Sequence, residues 1–225
     1  MQRISRCEVI DIIDYNDHAV VFVEKRPLAE NPAKYRANYL VYDFDKQQVE
    51  QITKSAYLLK KFGPEFNKIS AQVRNFVSCD AAILYDKRVL MIYPNGEAGI
   101  FDRDGELGWT GSFAYHEETV SGLALEGKYF WCVCKNENCI IRYSAQNMKV
   151  DLRIGGKNAV TFQAPEHISC ADGDLYVCCN TNKVKRIDGT NYGVEDYLES
   201  KEHILRFKKH GKNAIICTPY GAYAV

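Results

Sequence analysis

Neither charge prevails in this sequence. Lys plus Arg and Asp plus Glu stand at 29 each, so no net field draws the chain toward a polyanion, and no Lys/Arg-rich run offers itself to phosphates; nucleic acid is not an expected partner. No stretch approaches the ~18 consecutive apolar residues that a membrane span needs. The opening Met-Gln-Arg-Ile-Ser-Arg has no apolar segment after its basic residues, so no secretory leader is read and the expectation is a soluble, cytoplasmic protein without a membrane partner. Gly-x-Gly-x-x-Gly, the Walker loop and the Gly-x-Ser-x-Gly elbow are all missing, which removes the warrant for nucleotide or serine-hydrolase chemistry.

Methionine is rare, at 3 residues, whereas 15 Tyr and 10 Phe are present and hydrophobic residues make up 46%. Aromatic side chains fit a pleated, half-buried surface, so strands and an ordered core are expected. With 225 residues the chain lies within the range that one β-sandwich, barrel or propeller occupies, and residues 1–225 are read as one domain. Nine cysteines are an odd number in a chain without a leader, which points to reduced thiols in a reducing compartment.

An internal repeat of about 40–50 residues organises the chain, the period of four-stranded propeller blades. Five apolar second strands are read at residues 18–24, 88–93, 129–134, 175–179 and 213–218. A short polar or Pro/Gly turn follows each, and then a third strand, at 39–45, 99–102, 139–143, 183–188 and 222–225. Fourth strands at 48–53, 106–111, 149–154 and 194–198 are more polar, as outer edges facing water should be. First strands are read at 76–85, 120–125, 167–170 and 203–207. The last 23 residues hold only three strands, so the N-terminal segment is expected to complete the C-terminal blade. The apolar-rich residues 7–14 are the candidate, with 8–13 as the borrowed fourth strand and the first blade's inner strand as the competing use. A five-bladed propeller closed this way is the expected fold, with four blades as the alternative.

The segment from Gly127 to Tyr143, Gly-Lys-Tyr-Phe-Trp-Cys-Val-Cys-Lys-Asn-Glu-Asn-Cys-Ile-Ile-Arg-Tyr, and that from Gly173 to Asp188 resemble the repeat of NHL and YVTN-type propellers. The lead-in Pro165-Glu-His-Ile168 resembles theirs as well. Where that family places Asp before the Asn-containing turn, this chain has Cys134 or Cys179. The resemblance implies the propeller architecture and no single activity, because such folds serve scaffolds, ligand binders and hydrolases alike.

Two unusually long connections stand out. Residues 26–38 form a second-to-third-strand turn and residues 54–75 a crossover to the next blade, and in a propeller both kinds of connection emerge on the same face. Within the crossover, Leu58, Leu59 and Phe62, then Phe66, Ile69 and Val73, recur at three- and four-residue spacing. That predicts two short helices broken at Gly63-Pro64, a pair suited to cap the mouth of the ring. Arg26, Lys34, Tyr35, Arg36, Tyr57, Lys60 and Lys61 give these connections a basic, aromatic character that suits an anionic or protein partner.

Glu166-His167-Ile168 and Glu202-His203-Ile204 stand at the start of successive inner strands. Two imidazoles converging there with Glu202, Glu166 or His116 could hold a divalent metal, because neutral imidazole is a ligand for zinc-like ions. The bland alternative is a repeated polar position satisfied by backbone, and no other cofactor is expected. Cys132, Cys134 and Cys139, and Cys178-Cys179, lack the paired Cys-x-x-Cys spacing of a zinc knuckle and read as core. Asp102-Arg-Asp-Gly105 and Asp43-Phe-Asp45 read as hairpin turns, since the bidentate Glu of a calcium loop is missing. Trp109 and Trp131 read as blade core or rim.

These features favour a non-enzymatic binding or scaffold protein that presents its loop-rich face to a protein or small-molecule partner. The first rival is a metal-dependent hydrolase or lactonase using His167, His203 and Glu202 at the channel. The second is a lectin with one aromatic site per blade, although the aromatics do not recur at equivalent loop positions.

Overall fold

The computed structural model describes residues 1–73 and 75–225. Five four-stranded antiparallel sheets stand in a ring. The first blade comprises Val9–Asn16, Ala19–Leu28, Asn31–Asp43 and Gln48–Gln51. The second comprises Asp80–Ile83, Val89–Ile92, Glu97–Phe101 and Leu107–Ser112. Ser121–Glu126, Tyr129–Cys134, Cys139–Ser144 and Val150–Gly155 make the third, and Pro165–Ala171, Asp174–Cys179, Lys183–Ile187 and Val194–Glu199 the fourth. The fifth has Arg206–His210, Asn213–Thr218 and Gly221–Ala224 from the C-terminal end of the chain.

Its outermost strand is Gln2–Ser5, in register Gln2↔Ala224, Arg3↔Tyr223 and Ser5↔Ala222. The N-terminal segment thus does enter the C-terminal blade, but with different residues from those expected. Residues 7–14 belong to the inner strand of the first blade, where Val9, Asp11 and Ile12 are buried. The inner position gives an apolar strand neighbours on both sides, which the outer edge does not. The outer position suits Gln2–Ser5, which is largely exposed.

Each blade buries its two faces against its neighbours, so the core is divided into five clusters, one per junction. Alternation along the second strands sets the division. Cys132 and Cys134 face the second blade, whereas Trp131 and Val133 face the fourth. Cys178 and Cys179 likewise part, toward the fifth and third blades. All nine cysteines are free thiols and seven are buried, the small-hydrophobe role read from their neighbours. Trp131 is fully buried, while Trp109 lies at the rim. Turn chemistry follows sequence: Asp43 Oδ1 accepts from the backbone of Asp45 and Lys46, and Asp102 Oδ1 from Asp104 and Glu106.

The helices occupy an unexpected place. Helix α1 (Lys54–Phe62) is capped by Thr53, whose side chain accepts from the Ala56 amide, and helix α2 (Phe66–Gln72) follows after Gly63-Pro64. Neighbouring inner strands pack directly against one another from the second blade round to the first, but between the first and second blades α1 packs on both inner strands. One apolar cluster runs through Val21, Val23 and Val41 of the first blade, Tyr57, Leu58, Phe62 and Ile69 of the helices, and Val89, Met91 and Phe101 of the second. The pair does not cap the mouth; it is a wedge filling a sixth position in the ring. The apolar stripe needed a surface on each side, and only the gap between two blades supplies both.

Candidate functional site

The channel at the centre of the ring is walled by the five inner strands and α1, and encloses a cavity of about 520 Å³. Among its lining residues are Asp11, Lys61, Asp80, His167, Ser169 and Lys208. Asp11 lies in the apolar run Val-Ile-Asp-Ile-Ile of the first inner strand, and its burial requires partners. It has them. The Tyr57 hydroxyl donates to Asp11 Oδ2 at 2.6 Å, Lys61 Nζ donates to the same oxygen at 2.8 Å, and the Ile12 amide donates to Oδ1 at 2.9 Å. Lys61 also donates to the Cys79 carbonyl.

A second charged pair spans the channel from the second blade to the fifth. Arg206 Nη1 stands 3.6 Å from Asp80 Oδ1, and each side chain keeps 24% of its surface accessible. Burial pushes the Asp80 carboxyl above its ordinary range against the pull of Arg206. Burial also opposes the charge on Arg206, but Asp80 and Asp11 outweigh it and hold the guanidinium protonated. Farther along, Lys208 Nζ meets Asp14 at 2.6 Å and His210 Nδ1 meets it at 3.1 Å. His167 is held neutral: burial, then the charges of Arg206 and Lys208, push it well below its ordinary 6.5, and its buried Nδ1 has no partner among the described residues.

Residues 26–38 form no loose loop. The second and third strands of the first blade simply continue as a hairpin, with Lys25↔Ala37, Arg26↔Arg36 and Pro27↔Tyr35 in register. Past Lys25, whose amide bonds the Glu8 carbonyl, no neighbouring strand among the described residues flanks the second strand, and pairing on the fourth-strand side ends with the Ile52 amide on the Tyr39 carbonyl; the hairpin therefore carries two open edges. Lys25 Nζ lies 4.9 Å over the exposed Tyr35 ring. Its base is clamped by buried Glu24, which accepts from Ser5 Oγ at 2.7 Å and Asn38 Nδ2 at 3.0 Å and pairs with Arg26. Burial raises the Glu24 carboxyl, but these three donors outweigh it and leave the group below its ordinary 4.5.

The structure divides the residues singled out in the sequence. Arg26, Lys34, Tyr35 and Arg36 share the hairpin, but Tyr57 and Lys61 are buried against Asp11. Lys60 Nζ stands 5.1 Å over the Tyr15 ring, six residues along the inner strand from the Val9 end that faces the hairpin, hence roughly 20 Å away at strand rise. α1 descends through the ring and carries its basic end to the opposite mouth. His116 belongs to a small ribbon formed by Ala114–Tyr115 and Glu118–Thr119, stacks on Tyr115 at 4.1 Å and faces Glu137 at 3.6 Å. His203 precedes the fifth inner strand and meets Glu166 Oε2 at 2.8 Å, while the other Glu166 oxygen pairs with Lys135. Glu202 Oε2 is buried without a partner among the described residues. Among the described residues no group of three or more His, Cys, Asp or Glu is placed to hold a metal.

Asp11, Asp80 and Arg206 were not among the residues the sequence nominated. For Asp11 the signal is a charge embedded in an apolar inner strand, which calls for a partner across the ring; Arg206, at the head of the basic run Arg-Phe-Lys-Lys-His, and Asp80, at the head of its strand, give no such signal.

The ring and its channel define a five-bladed β-propeller carrying a helical wedge. No protein-family model matches the sequence, and no curated protein does. Among solved structures it is similar to the WD40 β-propeller domain of Doa1, with a TM-score of 0.59 and 11% identity over 98% of this chain and 93% of that one. It is also similar to a catalytically inactive virginiamycin B lyase from Staphylococcus aureus with quinupristin, at TM-score 0.55 and 13% identity over 96% and 79%. With hydrazine synthase of Kuenenia stuttgartiensis the match covers 60% of this chain and 40% of that one, at TM-score 0.48 and 11% identity. This chain therefore spans less than half of that chain's length. At such identities the likeness establishes the fold and leaves the activity open.

Proposed function

We propose that this protein is a non-enzymatic binding propeller of the NHL/YVTN-like kind, which docks an acidic protein segment on the protruding hairpin of its first blade. The observation that carries the reading is the hairpin itself. Its strands run 10 and 13 residues, against 4 to 7 in the other blades, and the excess presents open backbone edges beside Lys25, Lys34, Tyr35 and Arg36. An extended peptide can add to such an edge, with main-chain bonds giving affinity and cations selecting acidic side chains. The Glu24 clamp keeps the hairpin rigid, which lowers the ordering cost of binding. Nine free thiols support placing the protein in a reducing compartment.

The test is quantitative capture from cells with wild type and with a Lys34→Glu, Tyr35→Ala, Arg36→Glu variant, which spares Arg26 and hence the Glu24 clamp. Partners that bind wild type should be depleted at least tenfold on the variant, about 1.4 kcal/mol. An association profile indistinguishable between the two sinks the reading.

A further inference from the structure

We propose that the central channel is a binding site for a small zwitterion of the α-amino-acid class, its carboxylate against Arg206 and its ammonium against Asp80. The site is separate from the hairpin. The argument rests on which channel charges are already satisfied. Asp11 takes three donors and Lys61 has two acceptors, so that pair is closed. Lys208 is engaged by Asp14. Arg206 and Asp80 are different: their single contact, at 3.6 Å, is long for a hydrogen bond. Neither side chain makes another hydrogen bond to the described residues, although a guanidinium carries five donors and a carboxylate about four acceptor sites.

Both side chains nevertheless keep a quarter of their surface accessible. Asp80 lines the 520 Å³ cavity, a volume in the range of small-molecule pockets. An unmet cation and an unmet anion side by side discriminate sharply. A plain anion drawn to Arg206 would lie against Asp80, and a plain cation at Asp80 would lie against Arg206. A molecule bearing both charges a few ångströms apart satisfies the two at once, and does so where low dielectric strengthens each contact. The neutral His167 of the fourth blade adds no competing charge, and Asp11 and Lys61, the other charges acting on Asp80, do so with opposite sign. Docking an ammonium would also draw the raised Asp80 carboxyl back toward its ionised form.

The test uses the full chain and titration calorimetry with the standard amino acids. Each binder is paired with its des-amino acid and its decarboxylated amine. At least one amino acid should bind wild type below about 10 mM, with both halves weakened about tenfold or more. In the nearly isosteric Asp80→Asn variant the amino acid should lose its advantage over the des-amino acid, a change of preference that mere loosening of the fold does not produce. Arg206→Lys should weaken amino acid and des-amino acid together. The proposal is overturned if no standard amino acid binds at about 10 mM, if the halves bind as well as the whole, or if Asp80→Asn keeps the wild-type preference. If either variant fails to fold, the wild-type comparison of whole and halves still decides.

Discussion

Lys61 sits where a charge is tolerated only with company. Its side chain is 1% accessible and that of Asp11 6%, so removing one partner leaves an unpaired charge in the wall of the ring. Lys61→Met should cost about 3–5 kcal/mol in urea unfolding. Adding Asp11→Asn, which removes the stranded charge but keeps an acceptor for Tyr57, should return at least half of that. His167 gives a pH signature. Its folded-state pKa is depressed below 6.5, so below that pH the unfolded chain takes up a proton that the folded chain refuses. Stability should therefore fall as pH drops below 6.5, with a slope of up to ~1.4 kcal/mol per pH unit for one proton. Asp80 works with the opposite sign, since its raised carboxyl loses stability as pH climbs above 3.8. Comparing His167→Gln with wild type between pH 5 and 7 isolates the histidine term: the variant's profile should be flatter, and parallel profiles would refute it.

At the scale of elements, the hairpin and the helical wedge answer to different forces. The tip of the hairpin contributes little to the core: residues 29–36 are exposed. Excising residues 27–35 and joining Arg26 to Arg36 through Asn-Gly, a pair suited to a two-residue hairpin turn, should shift stability by no more than about 1 kcal/mol while abolishing partner capture. A large loss of stability would mean that the hairpin is structural. The second strands were readable because each is a continuous apolar run. Arg26 to Asn38 was recognisable as an insertion but not as strand, because its Pro, Lys and Arg residues give no alternating apolar face; only cross-strand pairing orders it. The stripe on α1 and α2 announces a buried face without saying against what, so a cap and a wedge fit the sequence equally. Gln2–Ser5 carries no strand signal for the same kind of reason. A closing strand exposed on its outer side needs no apolar pattern, so the sequence points instead to the more hydrophobic residues 7–14. Of the candidate site, the hairpin cations were visible in sequence; the Arg206–Asp80 pair was not, because it joins residues 126 positions apart.

The whole molecule is a ring whose stability depends on closure. Deleting residues 1–6 removes the Gln2–Ser5 strand and strips Ser5 from buried Glu24. The expected loss is on the order of 3 kcal/mol or more, with aggregation at the newly bared Gly221–Ala224 edge, measurable by urea unfolding and light scattering. A deletion that leaves both unchanged would show that the ring closes without its outer strand. The closing strand also sets a clock. Gln2–Ser5 pairs with Gly221–Ala224 across almost the entire chain, and at ~5–20 residues per second of synthesis it waits roughly 10–45 s for its partner to be made. Throughout that interval the fifth sheet does not exist, so the clasp of the ring is made before the blades it closes and is among the last parts to fold.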